Sequence, residues 1–535
     1  MFNTAKSQQI FLFIAIAFYI VAGLLVLNNR FNWFDDAYYI MLAQALADGQ
    51  GYVDVNLPTP QIHKLFPPMV SVFLALPSWF NLTLDTKLII FKVILILFGA
   101  VGLYVFTKLA AKEGHSSKTI TYSIIISATS IVLVGYTCRV ASETTYLLFS
   151  VLALISLNIY QEKKRLSRYL FISAVLLAIC ILTRSIGVLL LPAIVVSWVI
   201  RREFTKIFLL ISLVILLLSP WLLLAKRTGG GGTSRYLTDM MVQYVNTDSA
   251  TEKSLAKALV NKAKENAQLI VSKEIPRIIF SLSASSTVLE NQTLNLLSYP
   301  IRLFISLLVI LSILASLWPK PKITTLYLLF YLGLLLVWPW EPSRFLIPII
   351  PFLCLAFFNS LEKLLDLLAT KLQIKNGLAT NLINILVILL VISHLISDVR
   401  FITTVWRTGD YSPQAAEFGE DTVTAYKWVK ENTSKDSLMA CIPALEAYTY
   451  IYSQRKAIPL PTNPQICQQL KVSYIIFIDE KLVNNNQEAQ SARDFRHLLK
   501  RAGDDSFLSL VYQNKTVKIF SIDHNRLAEI LSSQP

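Results

Sequence analysis

Long apolar runs separated by short polar segments make up the first three quarters of the chain, near residues 10–28, 85–108, 118–136, 144–160, 169–184, 186–200, 207–226, 301–318, 323–339, 345–360 and 378–398. Each approaches the roughly 20 residues that an α-helix needs to cross hydrocarbon, so the pattern predicts eleven spans. One further apolar stretch, FPPMVSVFLALPSWF from Phe66 to Phe80, is only 15 residues long and carries a proline pair at its start. It is expected as an interfacial or re-entrant segment on the outer side. The first run is preceded only by Lys6 and followed by no small-residue cleavage site, which reads as a retained signal anchor with a cytoplasmic N-terminus.

The pattern changes after residue 405. Strand-like runs LMAC, KAIPL, SYIIFI, FLSLVY and TVKIFSI alternate with helical DTVTAYKWVKENT and ARDFRHLLKRAG. This predicts a small α/β domain over 408–535, large enough for its own core. The expected architecture is an all-α polytopic membrane domain, 1–405, followed by an extracytoplasmic α/β domain. Outer loops fall at about 29–84 and 227–300.

Composition agrees with this reading and excludes a soluble globule: 54% of the 535 residues are hydrophobic, and mean hydropathy is +0.54. The net charge of +15 invites a nucleic-acid partner, but its distribution argues against one. Lys and Arg gather in alternate short loops, as at Lys108, Lys112 and Lys118, then Lys163, Lys164, Arg165 and Arg168, then Arg201, Arg202 and Lys206. Under the positive-inside rule these loops are cytoplasmic, and eleven spans from a cytoplasmic N-terminus make the chain a multi-pass membrane protein with its tail outside. An oxidising compartment would permit a disulfide between Cys441 and Cys467; the alternative is two buried thiols. Cys138, Cys180 and Cys354 form no metal-ligand spacing.

Candidate chemistry collects on the outer side. Asp35 and Asp36 head a helical segment just past the first span, where carboxylates beside a bilayer pay a desolvation cost unless something offsets it. They can also be read as a helix cap and a dipole partner, with Gly49 and Gly51 ending the helix. The topology brings His63, Lys64, Arg139, Glu143, Arg184, Glu341 and Arg344 to the same face. A cleft lined by such cations and carboxylates at headgroup level suits a lipid-linked phosphate. Simpler readings exist for several of these residues: Arg184 and Arg344 as snorkelling side chains, Glu143 as a cap, His63 as structural. The four glycines Gly229 to Gly232 lack the Gly-Lys-Ser/Thr ending of a nucleotide phosphate loop, and four N-x-Ser/Thr sequons carry no weight.

Taken in order, FDDAYYIMLAQALADGQGY, KLFPP, ASETTYLLFS, LTRSIGVLLLP and SRFLIPIIPFL, followed by a final span and an outer α/β tail, resemble the GT-C membrane glycosyltransferases. The similarity is greatest to the bacterial branch related to protein O-mannosyltransferases and to the aminoarabinose and lipopolysaccharide-core sugar transferases. This resemblance implies transfer of a sugar from a polyprenyl-phosphate donor, usually with inversion, to an envelope lipid, glycan or protein acceptor. It also implies that the first-loop acid is Asp35 or Asp36, that the basic residue ahead of the prolines is Lys64, and that the late arginine is Arg344. Here His63 and Lys64 are separated from Pro67 and Pro68 by Leu65 and Phe66, where aminoarabinose transferases place Glu-Lys directly before the prolines.

The residue types suit that chemistry. An Asp can take the proton of the attacking hydroxyl. The leaving lipid phosphate departs as an anion, so fixed positive charge at Lys64, Arg184 or Arg344 serves better than a general acid. No cofactor is required; a divalent metal is compatible with the scheme, but no residue pattern supports one. A transporter or flippase for a lipid-linked or anionic solute is the alternative from another class. Against it, the charges gather at one face, and no broken helix pair or inverted repeat is visible in the sequence. A catalytically silent scaffold is a third reading.

Overall fold

The computed structural model describes residues 5–32, 34–137, 139–163, 168–227, 252–283, 299–371, 378–408, 419–478 and 490–533. Cys138, Gly229 to Gly232, the N-x-Ser/Thr sequon at Asn291 and much of the 227–300 loop lie outside them. The chain divides into two compact units. One comprises Met1–Leu27, Lys64–Val70 and Lys92–Arg407; the other comprises Asn28–His63, Ser71–Phe91 and Thr408–Pro535.

All eleven expected spans fold as helix. Six helices are long and apolar enough to cross a membrane: Lys6–Leu25, Leu84–Lys112, Glu143–Glu162, Phe204–Leu224, Arg344–Lys371 and Thr380–Arg407. Four others, Arg168–Thr183, Ser185–Ile200, Tyr299–Ala315 and Ile323–Leu336, are apolar but shorter. Large apolar side chains such as Phe13, Phe208, Leu216 and Val399 are exposed on these helices, as lipid-facing positions require. The chain is a multi-pass membrane protein.

The remaining span departs from expectation. The run 118–136 breaks into Ser117–Ala128 and Ile131–Tyr136. The hydroxyls of Thr121, Ser123, Ser127 and Thr129 each turn back to the carbonyl four residues earlier, which satisfies them inside an apolar bundle but loosens the helical ladder. At Thr129 and Ser130 the backbone N–H groups bond to Ile125 O and Ser127 O, and the helix stops. The run thus forms a broken helix that the apolar pattern alone did not reveal.

The stretch expected to lie at the interface forms the helix Met69–Ser78. At about 1.5 Å per residue it reaches only about half the thickness of the hydrocarbon. Val72, Leu76, Trp79 and Phe80 are exposed along and just beyond it.

The second unit is built on the tail's five-stranded sheet. Its strands follow a two-residue hairpin in the first loop, β1 (Val53–Asp54) with β2 (Gln61–Ile62). They are β3 (Leu438–Cys441), β4 (Lys456–Pro459), β5 (Val472–Ile478), β6 (Leu508–Gln513) and β7 (Val517–Ile522), in the order β4-β3-β5-β7-β6. β3 pairs parallel with β4 and β5, while β7 runs antiparallel to β5 and β6. The β4 edge is covered by the first loop: Ala457 N–H donates to Asn56 O at 2.8 Å, and Lys456 Nζ donates to Val55 O. Covering an edge in this way removes a row of unpaired donors and acceptors. Leu57 packs against the tail's core, and the Phe31 ring meets those of Tyr448 and Tyr452 edge-on at 5.1 and 5.4 Å. The first loop and the tail therefore form one body. Cys441 and Cys467 are buried free thiols within it, not a disulfide, and burial pushes the Cys467 thiol up to about 12.

Candidate active site

In the membrane unit three of the expected residues meet at one point. Glu143 opens the helix Glu143–Lys163, where a carboxylate favours the positive end of the helix dipole. Its side chain does more than cap. Glu143 Oε1 accepts a hydrogen bond from Arg184 Nη1 at 2.5 Å and another from Arg344 Nε. The carboxylate is 1% exposed and the two arginine side chains 10% and 18%, so neither guanidinium snorkels freely to water.

Local sequence sets both arginines. Arg184 is the extended residue between the helix Arg168–Thr183 and the 3-10 turn Ser185–Leu189. That turn can lie against the preceding helix because Gly187 has no side chain; a Cβ there would sit 2.8 Å from the Cys180 carbonyl group. Ser142 Oγ accepts from Arg184 Nη1 at 3.0 Å, and the guanidinium lies 5.1 Å from the centre of the Phe345 ring. Arg344 opens the 3-10 turn Arg344–Ile349, whose Phe345 carbonyl accepts from the Tyr331 hydroxyl at 2.7 Å. Two guanidiniums share one carboxylate, so these three groups by themselves sum to +1, and both arginines make further interactions as well. Glu143 Oε2 is buried with no partner among the described residues.

Lys64, Arg139 and Glu341 belong to the same unit. Lys64 is half-buried. The Arg139 guanidinium lies 4.4 Å from the Tyr136 ring centre. Glu341 is exposed, 4.0 Å from Lys273 Nζ, and accepts from the Ser343 hydroxyl at 2.9 Å. Sequence reasoning did not single out Ser142, Tyr331, Glu274 or Arg277. Glu274 is buried beside the Glu341–Ser343 turn, with Arg277 Nη1 3.9 Å from its Oε2. No periodic signal marked it, because it follows the Lys- and Glu-rich helix Glu252–Leu269, which reads as a solvated face.

The acidic pair lies in the second unit, on the helix Phe34–Ala47, which ends ahead of Gly49 and Gly51 at φ +73° and +86°. Asp36 is fully buried, and its Oδ2 accepts from the Asn32 N–H at 3.0 Å, a back-reaching bond that closes the start of the helix. Asp35 is half-buried. One turn along, the Tyr38 hydroxyl donates to Glu446 Oε2 at 2.8 Å, and Ala444 N–H donates to Oε1 at 3.2 Å. Burial first, then the Glu446 carboxylate, pushes the Tyr38 hydroxyl well above its usual range, and burial raises Glu446 itself. His63 is buried with Nδ1 2.6 Å from Asp54 Oδ1, its ring edge-on to Tyr52. Among the described residues no three of His, Cys, Asp and Glu gather as metal ligands.

No family model matches the chain, and no curated protein matches it in sequence. Solved structures do. The chain is similar to the archaeal oligosaccharyltransferase AglB from Archaeoglobus fulgidus in complex with an inhibitory peptide and a dolichol-phosphate, with TM-score 0.59 and 10% identity over 98% of this chain and 75% of that one. It is also similar to ArnT from Cupriavidus metallidurans bound to undecaprenyl phosphate, with TM-score 0.53 and 10% identity over 97% of this chain and 98% of that one. The fold is that of the GT-C membrane glycosyltransferases, with transmembrane helices followed by a C-terminal sheet region.

Proposed function

We propose that this protein is a membrane glycosyltransferase that moves a sugar from a polyprenyl-phosphate donor to an envelope lipid, glycan or protein at the outer face of the membrane. The observation that carries the reading is the buried Arg184–Glu143–Arg344 cluster with its net positive charge. Guanidiniums match a phosphate's geometry, and a buried excess of +1 favours an anion over a neutral ligand. The similar AglB and ArnT structures hold dolichol-phosphate and undecaprenyl phosphate. Arg184 and Arg344 would bind the donor phosphate and stabilise it as it leaves. Lys64 is assigned to the same role by its place in the sequence.

Asp35 is the better placed base. Asp36 is fully buried and one of its oxygens is committed to the Asn32 N–H, whereas Asp35 keeps contact with solvent. On this reading Asp36 and the Tyr38–Glu446 bond hold the helix that presents Asp35 to the acceptor hydroxyl.

Mass spectrometry of envelope lipids and glycans tests it, in a deletion strain complemented with the normal protein or with Asp35→Asn at matched expression. Loss of one sugar, restored by the normal protein and not by Asp35→Asn, is expected. Full restoration by Asp35→Asn overturns the catalytic assignment. The broken span at Thr129 and Ser130 is the one feature favouring a transporter, since transporters bind ions at such breaks. That reading predicts that Asp35→Asn leaves solute movement intact.

A further inference from the structure

The charged group at Glu274 is the strongest feature that the proposed chemistry has not absorbed. The helix Glu252–Leu269 runs into a π-helical turn, Ile270–Glu274, before Ile275–Ile279 continues. Such turns insert one residue into the helical ladder, re-aim the side chains that follow, and concentrate at functional sites. This one delivers Glu274, 1% exposed, beside the turn Glu341–Ser343.

The carboxyl is poorly served there. Its Oε1 is buried and makes no hydrogen bond among the described residues. Its Oε2 lies 3.9 Å from Arg277 Nη1, beyond hydrogen-bonding range, and it shares the Ser343 hydroxyl with Glu341, to which that hydroxyl donates at 2.9 Å. Burial raises its pKa, and Arg277 and Lys273 offset that only in part. A buried carboxyl oxygen left without a partner costs about 1–3 kcal/mol, so an Oε1 kept in this state is matched to a partner that arrives with a ligand.

Position identifies the partner. Ser343 adjoins Arg344, one of the two guanidiniums on Glu143. A sugar is bonded directly to the phosphate of its donor, so a phosphate held at Arg184 and Arg344 puts the sugar's hydroxyls within a few ångströms. A hydroxyl both donates and accepts, so it satisfies a carboxyl in either protonation state. We propose that Glu274 hydrogen-bonds a hydroxyl of the donor sugar and so selects which polyprenyl-phosphate sugar the protein uses; this rests on Arg184 and Arg344 forming the phosphate site.

The test uses the full-length protein in detergent with four kinds of probe: neryl phosphate, neryl-phosphoryl hexoses, the corresponding pentoses, and versions of each lacking one hydroxyl. One deoxy analogue should bind the normal protein about tenfold or more weakly than its parent, because it leaves Glu274 unsatisfied. In Glu274→Ala that ratio should fall towards one, while neryl phosphate binds within about twofold of normal. Persistence of the ratio in Glu274→Ala, or equal loss of neryl phosphate binding, overturns the proposal. If Glu274→Ala does not accumulate folded, Glu274→Gln must still shift the discrimination, since it turns one acceptor into a fixed donor; an unchanged ratio overturns the role. Arg344→Gln separates the two levels. If it leaves neryl phosphate binding intact, the phosphate site itself fails and Glu274 with it. If it abolishes that binding while the ratio survives in Glu274→Ala, only the role of Glu274 falls.

Discussion

Replacing Glu143 by Gln should make the protein hold its product too tightly. The carboxylate is bonded to both guanidiniums, so the substitution removes one negative charge from between them while keeping one amide oxygen as an acceptor. A phosphate gripping the far sides of both arginines would sit on the order of 6 Å from the removed charge. At an effective dielectric near 20 the lost repulsion is about 3 kcal/mol, and with water in the cleft about 1 kcal/mol. Lipid-phosphate affinity should therefore rise about fivefold to a hundredfold.

That gain has a cost in turnover and in stability. If polyprenyl phosphate leaves more slowly, kcat falls together with KM, a split that an inert structural change does not produce. The two guanidiniums lose their charge-assisted bonds, so the thermal midpoint should drop, in keeping with about 3 kcal/mol for breaking a buried pair. Equilibrium binding of undecaprenyl phosphate to purified protein reads the first effect, and steady-state kinetics the second. Glu143→Asp, which keeps the charge on a shorter arm, should bind the lipid no more tightly than normal. If folded Glu143→Gln binds the lipid phosphate as before or more weakly, the counter-charge reasoning is wrong.

Further outcomes follow from the same geometry. Gly187→Ala drives a Cβ to 2.8 Å from the Cys180 carbonyl, displacing the turn after Arg184, and should lose about 1–3 kcal/mol of stability together with lipid-phosphate affinity, read by thermal unfolding and binding. Asp398 is 1% exposed with neither carboxylate oxygen bonded among the described residues, so Asp398→Asn should raise the thermal midpoint by removing an ionisable group from the bundle; a clear fall would show that the charge is used. Burial holds the folded-state pKa of Glu446 above its unfolded value. Its contribution to stability is therefore complete below the unfolded carboxyl pKa near 4.3 and is lost as pH rises through the raised value. Glu446→Gln should flatten that part of the pH–stability curve, and an unchanged curve would remove Glu446 as its source. Tyr38→Phe breaks the same link from the other side and should lower kcat without weakening lipid-phosphate binding, since Arg184 and Arg344 are untouched.

Much of the fold was legible because its signals are local. Apolar runs near bilayer length marked every span, and the tail's five strands each fell on a short, largely apolar run bounded by turns. What escaped depends on where particular hydrogen bonds go. Thr129 and Ser130 sit inside an apolar run of ordinary length, and only the return of successive hydroxyls to the backbone makes the helix stop there. Residues 54–57 look like a loop until the β4 edge, some four hundred residues later, supplies donors for Val55 O and Asn56 O.

The candidate site shows the same limit more sharply. Glu143 read as a cap and Arg184 and Arg344 as snorkelling side chains because each, taken singly, sits at a helix end where that is the common outcome. Their meeting joins positions 41 and 201 residues apart, which no window on the sequence spans. The acids followed the opposite course. Asp35 and Asp36 were conspicuous as a pair, yet adjacent side chains on a helix diverge by about 100°, and here the divergence separates a buried strut from a group that keeps its solvent. A paired motif in this chain therefore identifies a helix whose two acids differ in burial, and that difference makes Asp35 rather than Asp36 the one to test by substitution.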